Sequence, residues 1–416
     1  MAASDNARMN TNTSTAPKLS MTQVLICGAA IVTLSMGIRH GFGLWLGPLT
    51  TERGWARESF AFAMAVQNLA WGIAGPLAGA WADRHGAFRV LIVGTLLYAA
   101  GLVCMALAST PAGFISGTGL LIGMAQAGTT YAVIYGVIAR NVSPEKRSWA
   151  MGITAAAGSF GQFLMVPVED KLISGFGWQD ALLILSVTAL AIIPLAFGVR
   201  EKSTPAASAH AQSISEALRE AFAHKSYMLL TAGYFVCGFQ VVFIGVHMPS
   251  YLKDQGLPAQ VATYSLALIG LFNIVGTYTA GVLGQRCPKR WILAAIYVAR
   301  AVAITVFVLA PLTPASVYVF SAVMGLLWLS TVPPTNAVIA QMFGVQYMSM
   351  LGGIAFLSHQ IGSFLGVWLG GRLFDATGSY MVVWWICVAL GLIAAALNLP
   401  VREHAVERAR AVPAAA

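Results

Sequence analysis

The sequence predicts an all-α membrane protein of twelve transmembrane helices, arranged as two pseudo-symmetric bundles of six. Three observations carry that reading. The 416 residues are 58% hydrophobic and only 9% charged, a balance that excludes an ordinary soluble domain of this length. Apolar stretches of about 20 residues or more, matching a hydrocarbon layer of ~30 Å, recur along the whole chain. The second half also repeats the first at one constant offset.

The spans read as 22–49, 58–81, 88–108, 112–139, 148–169, 178–198, 226–251, 259–283, 291–311, 314–341, 348–371 and 379–399. They divide the chain into a tail (1–21), an N-terminal six-helix bundle (22–200), a linker (201–224), a C-terminal six-helix bundle (225–400) and a second tail (401–416). The first tail is polar and lacks a signal-peptide core, and the first span is too long for one, so no removed leader is expected. The linker is the longest polar stretch inside the chain, and Ser213 to Phe222 reads as a short amphipathic helix lying at the membrane surface.

The formal charge of +9 is explained by its placement rather than by nucleic acid. With the amino terminus inside, 17 of the 24 Lys and Arg residues fall in cytoplasmic segments. That asymmetry predicts both termini in the cytoplasm. Short loops on a compact chain point to a bacterial inner membrane and to a monomer in the bilayer. Four of the five cysteines, Cys27, Cys104, Cys237 and Cys387, lie in apolar spans and the fifth, Cys287, in a loop. Neither a disulfide framework nor metal-ligand spacing is present, and no cofactor is implied.

Within the first span, Arg39 and His40 interrupt an otherwise apolar run, Met36 to Pro48. An arginine near the bilayer midplane costs about 2.5–3.5 kcal/mol on insertion scales, and such a residue reads as functional by default. Ser35, Arg39, Gly43 and Gly47 recur at i+4 on one narrow face that could line a cavity. The competing reading is an arginine satisfied by neighbouring helix carbonyls.

The repeat is legible at an offset of 201 residues. Gly37, Phe42 and Pro48 map onto Gly238, Phe243 and Pro249, and Gly161 and Gly177 onto Gly362 and Gly378. After the second span the chain reads Gly75-Pro-Leu-Ala-Gly79-Ala-Trp-Ala-Asp83-Arg84-His-Gly86-Ala-Phe-Arg89. Here Gly75 and Gly79 permit close approach of a neighbouring helix, while Asp83 can cap or pair with the basic loop.

This stretch resembles the loop motif of the major facilitator superfamily, and two parallel six-helix repeats with a basic linker resemble its architecture. The resemblance implies that Gly75, Gly79, Asp83, Arg84, Gly86 and Arg89 form a cytoplasmic gating loop. It also implies that the first, fourth, seventh and tenth spans line a cavity. Those spans offer Arg39 and His40, then Tyr131 and Tyr135, then Gln240 at the repeat position of Arg39, then Trp328 beside a Pro333-Pro334 break. Asn273 in the eighth span and His359 near the centre of the eleventh join them. Arg300, in the peripheral ninth span, is expected to face inward for a structural reason, with no partner named by the sequence.

Within the superfamily the chain looks most like the monocarboxylate porter and oxalate/formate antiporter group. The oxalate carriers place a lysine where His359 stands, and an arginine four residues beyond the Asn of Leu271-Phe272-Asn273, where this chain has Thr277. The monocarboxylate porters carry a basic residue in the first span, as Arg39 would be, and use an Asp and Arg in the eighth that are not found here. No acid lies at mid-depth; Glu169 and Asp170, at the outer end of the fifth span, come closest. A cavity with Arg39 and no carboxylate should attract an anion.

The expectation is a secondary transporter of a small organic monocarboxylate working by alternating access. Arg39 grips the carboxylate, His359 supplies a second contact and a candidate proton carrier, and Tyr131, Tyr135 and Trp328 shape the apolar remainder. The alternatives are an efflux carrier for amphipathic or aromatic compounds and a transporter-like receptor or lipid scramblase. No nucleophile-base spacing or nucleotide-phosphate loop argues for an enzyme.

Overall fold

The structure, a computed structural model, describes residues 19–201, 214–343 and 348–406. The remainder of both tails, most of the linker, and the side chains of Asp83 and Arg84 lie outside the described residues. Among those described there is helix and no strand. In chain order the helices are α1 (Met21–His40), α2 (Gly43–Arg53), α3 (Arg57–His85), α4 (Ala87–Leu107), α5 (Pro111–Phe114), α6 (Ile122–Thr129), α7 (Tyr131–Asn141), α8 (Pro144–Phe176) and α9 (Trp178–Ala189). They continue as α10 (Ile192–Phe197), α11 (Ile214–Ala223), α12 (Lys225–Asp254), α13 (Ala259–Arg286), α14 (Lys289–Leu309), α15 (Pro314–Leu327), α16 (Val332–Phe343), α17 (Met348–Thr377) and α18 (Met381–Asn398). A π-helical segment, Ile115–Leu121, joins α5 to α6.

Among the described residues, eleven helical stretches are long and apolar enough to cross a membrane. The remaining long helix, α17, has His359, Gln360 and Ser363 inside its apolar run. Four of the expected spans are broken rather than continuous; the sixth has a short turn at Leu190 and Ala191 between α9 and α10, and the other three are more marked. The first breaks at Gly41–Phe42, directly after Arg39 and His40, where three-residue bonds such as Leu44 N–H to the Gly41 carbonyl replace the regular ladder. The fourth breaks at Thr130, which is extended between α6 and α7. The tenth breaks between Leu327 and Val332, just before the Pro333-Pro334 pair that cannot donate to a preceding turn.

Pseudo-symmetry is visible in how the halves pack. On α1, Gly37 lies against Met165 and the Gly161 carbonyl of α8; at the repeat position on α12, Gly238 lies against the His359 carbonyl and Ser363 of α17. Either glycine given a Cβ would collide with the facing helix, so each is required for the close approach. Gly177 and Gly378, also repeat mates, both turn the chain at positive φ, 84° and 68°. The helices α5 and α15 each start on a Thr-Pro pair with the threonine capping the first turn.

The two halves meet along α3 with α17 and along α8 with α13. At one end an ionic latch joins them. Arg57, at the start of α3, makes bidentate bonds of 2.6 and 2.7 Å to Asp254 of α12 and donates to the Tyr380 hydroxyl at 3.1 Å. Burial pushes the Tyr380 phenol up to about 12, against the pull of Arg57 beside it. Asp375 of α17 accepts the backbone N–H groups of Arg57 and Glu58, and Glu58 pairs with Arg372 at 3.1 Å. Lacking a capping side chain of its own, α3 is thus capped from the other half.

Towards the opposite end, Gln360 of α17 donates to the Asn68 carbonyl at 3.1 Å and packs against Gly72. One turn further on, Pro76 and Leu77 are exposed, and a Cβ on Gly75 or Gly79 would meet nothing within 4 Å. The close approach these two glycines could permit is therefore not made here. Gly86 does need to be glycine, because it ends α3 at φ 85°.

Candidate functional site

Arg39 reaches the middle of the molecule from the last turn of α1. Its Nε donates to Gln126 Oε1 of α6 at 3.2 Å and its Nη2 to Asn68 Oδ1 of α3 at 2.5 Å. The guanidinium sits 4.9 Å from the centre of the Trp71 ring. Both hydrogen-bonded acceptors are neutral amide oxygens, and no carboxylate pairs with the arginine among the described residues. Asn68 is itself fixed, its Nδ2 donating to the Met64 carbonyl at 2.7 Å. These bonds orient the guanidinium without neutralising it.

The side chain borders a small cavity between the halves, about 40 Å³, or room for a few waters. From one half it is lined by Arg39, His40, Met64, Gln67 and Asn68, and from the other by Val241, Val242, Gly245, Val246 and Trp328. No acid lines it. On its wall is a donor that lacks an acceptor: Trp328 Nε1 is buried and unpartnered among the described residues. His40 is turned back on its own helix, its Nδ1 2.6 Å from the Met36 carbonyl.

Of the residues the sequence put forward, Arg39, His40 and Trp328 therefore meet at one cavity, and the others lie elsewhere. Tyr131 and Tyr135 lean on each other with ring centres 5.6 Å apart, and the Tyr131 hydroxyl fits against Gly158 of α8. His359 is buried between Tyr234 and Phe356, with Nδ1 3.1 Å from Gln360 Oε1. Gln240 and Asn273 take part in a different structure, the break in the tenth span.

That break frees carbonyls in the interior, and Arg300 of α14 takes them. Its Nε and Nη2 donate to the Leu327 carbonyl at 3.1 and 2.6 Å, and Nη2 also to that of Trp328. Its Nη1 donates to Gln240 Oε1 at 3.3 Å, and Gln240 Nε2 in turn holds the Cys387 carbonyl at 2.8 Å. Arg300 is fully buried. It faces inward, and the end of α15 is the partner the sequence could not name. Asn273 of α13 completes the repair: Oδ1 accepts the Leu329 N–H at 3.1 Å, while Nδ2 donates across the half boundary to Ser159 at 3.0 Å.

Sequence reasoning missed Asn68, Gln67 and Trp71 because a polar amide in an apolar helix reads equally as packing. It set Glu169 at the outer end of the fifth span without showing its surroundings; Glu169 is completely buried and, among the described residues, neither of its carboxyl oxygens has a hydrogen-bond partner. The small face of the first span is only partly a cavity wall: Gly43 packs against the Gly245 and Val246 carbonyls and Pro249, and Gly47 lies near Ser250.

Residues 25–367 and 266–415 match the profile of the Major Facilitator Superfamily. The chain belongs to that superfamily. It is thus a multi-pass membrane transporter with a small-molecule substrate, and not an enzyme. Among its relatives is the uncharacterized MFS-type transporter YcxA of Bacillus subtilis, 23% identical over 384 residues, covering 87% of this chain and 90% of that one. Monocarboxylate transporter 13 of Rattus norvegicus is 24% identical over 357 residues (83% and 81%), and human monocarboxylate transporter 11 is 26% identical over 368 residues (84% and 76%). In architecture the chain is similar to a D-xylose-proton symporter, at TM-score 0.72 and 16% identity with 91% of this chain and 97% of that one covered. It is also similar to a bacterial homologue of the human lysosomal transporter Spinster, at TM-score 0.71, 15% identity, and coverage of 91% and 96%.

Proposed function

We propose that this transporter carries a small organic monocarboxylate, with Arg39 as the residue that grips the carboxylate. The observation that carries the reading is a guanidinium held in place by two neutral amides, with no acid on the cavity it borders. Such a cation is oriented but uncompensated, and a planar carboxylate satisfies it bidentately. The unpartnered donor Trp328 Nε1 on the cavity wall supports the same reading, since a buried donor without an acceptor is costly and an anion supplies one. Similarity to monocarboxylate transporters over most of the chain supports the same substrate class.

In this reading the two six-helix bundles rock about the cavity. The ionic latch of Arg57 closes one end, and the Gly75–Arg89 loop governs the other, which we place in the cytoplasm with both termini. The setting is a bacterial inner membrane and the working unit a monomer. His359, which does not line the cavity in this conformation, is left out of the site. The cavity holds only a few waters, so loading requires the halves to part.

The test is uptake of radiolabelled lactate, pyruvate and acetate into proteoliposomes by wild type and by Arg39→Gln. Loss of a charge-assisted pair worth about 1.5–3 kcal/mol should weaken transport about 10- to 100-fold while leaving the amount of folded protein unchanged. Uptake at normal affinity in the variant would remove the central claim. Transport of cationic or neutral amphiphiles that is indifferent to the substitution would favour efflux instead.

A further inference from the structure

Glu169 is the most heavily buried acid that the site above does not use. It lies on α8, one turn beyond Met165 and two beyond Gly161. That row, Gly161, Met165, Glu169, runs along the row Thr33, Gly37, Gly41 of the first span: Gly161 meets the Thr33 backbone, Met165 meets Gly37 and Glu169 meets Gly41. The last contact is unlike the others. A Cβ on Gly41 would overlap the Glu169 carboxyl, whose Oε2 occupies the notch left by the missing side chain. Gly41 is also the residue at which the first span breaks, immediately after Arg39 and His40.

Within this notch the carboxyl has no donor and no counter-cation among the described residues. The charged and titratable groups of the helices packed around this part of α8 are Cys27, Arg39 and His40 of α1, Arg89, Tyr98 and Cys104 of α4, Tyr131, Tyr135 and Arg140 of α7, Asp180 of α9 and Tyr264, Tyr278 and Arg286 of α13, with Asp170 and Lys171 next to it on α8. None of them hydrogen-bonds to either oxygen. Tyr98 spends its hydroxyl on the Ser35 carbonyl at 2.9 Å, and Arg39 is engaged by Gln126 and Asn68. An ionised carboxyl closed off in this way is too costly to persist, and such a group neutralises instead. A metal cation does not answer the need, because hard cations require several oxygen ligands and the notch supplies one carboxyl.

We propose that Glu169 is the proton-carrying site of this transporter: it takes a proton before α1 and α8 close over it and releases that proton when the Gly41 break opens. The step is a simple one. The carboxylate oxygen gains a proton from water on one side of the membrane and returns it to water on the other, with no bond to substrate. One substrate anion on Arg39 and one proton on Glu169 make an electroneutral passenger. The proposal rests on the anion reading for its cargo but not for the proton site itself.

Two measurements on the purified full-length protein test it. Infrared difference spectroscopy during a pH jump, without any substrate, should show a protonated-carboxyl C=O stretch that persists at neutral pH in wild type and is absent from Glu169→Gln. In proteoliposomes, a pH gradient of about one unit should accumulate lactate about tenfold in wild type, the limit for one proton per anion. Glu169→Gln, a neutral mimic of the protonated acid, should keep lactate exchange at equal pH and lose the accumulation, its ratio falling to about one. Absence of the infrared band in wild type, or undiminished pH-driven accumulation in the variant, overturns the proposal. If wild type ignores lactate altogether, the monocarboxylate reading fails, while the infrared result still decides the proton site.

Discussion

Two arginines lie inside this molecule, and they are held differently: Arg300 is fully buried and Arg39 half-buried. Arg300 spends its donors on carbonyls from the broken end of α15, on Gln240 and on the Cys237 sulfur. Arg39 is held by two side-chain amides and otherwise faces a cavity. The contrast follows the repeat. Gln240 stands in the second half where Arg39 stands in the first, and there it serves as acceptor for the arginine of a neighbouring helix. A buried guanidinium bonded mainly to backbone acts as structure, whereas one bonded to amides beside an acid-free space is poised for a ligand.

The sharpest way to break the comparison is to remove each arginine and measure folding. Arg300→Met should strand the Leu327 and Trp328 carbonyls, each unsatisfied group costing about 1–3 kcal/mol. The expected result is a melting temperature lowered so far that little monodisperse protein survives detergent extraction. Arg39→Gln should leave the melting curve within about 1 kcal/mol of wild type, since Asn68 and Gln126 can bond to the new amide, while uptake is lost. If both variants unfold, the distinction between structural and ligand-bearing arginine collapses.

Asn273→Ala tests the second support of the same break and should cost about 1–3 kcal/mol by orphaning the Leu329 N–H, a smaller fall in melting temperature than Arg300→Met. The mildest change is Arg57→Gln. Arg57 and Asp254 are 19% and 29% exposed at their side chains, and pairs this open are worth about 0–1 kcal/mol. Stability should hardly move. In Gly47→Cys, where a Cβ would meet only Ser250 Oγ of the other half at 3.8 Å, the thiol should however react faster with a membrane-impermeant reagent when Arg57 is replaced.

Much of the fold was legible because its signals are local or repetitive. Apolar length marked the spans, and a constant offset exposed the repeat before any contact was known. Arg39 stood out because a cation in an apolar run is expensive wherever its partners are. Its pairings were not legible: Asn68 and Gln126 sit in other helices, and nothing in the sequence couples either of them to Arg39. Arg300 was opaque for a related reason, because its acceptors are backbone carbonyls that exist only where α15 breaks. The burial of Glu169 was not legible, since seven residues from the end of α8 can mean water or interior, and the missing side chain at Gly41 settles which.

The capping of α3 by Asp375 ties a local backbone event to the global motion. When the halves part at the latch, the Arg57 and Glu58 amides lose the acceptor that belongs to the other half. Two peptide protons thereby become a built-in clock for opening. Their deuterium uptake should be slow in the latched conformation and quicken whenever that end admits water, with no label or probe introduced. The loss of a helix cap, typically about 1 kcal/mol, also adds to the free-energy gap between the two ends of the transport cycle. Selection acting on a single aspartate in the second half could therefore set how long the first half stays shut.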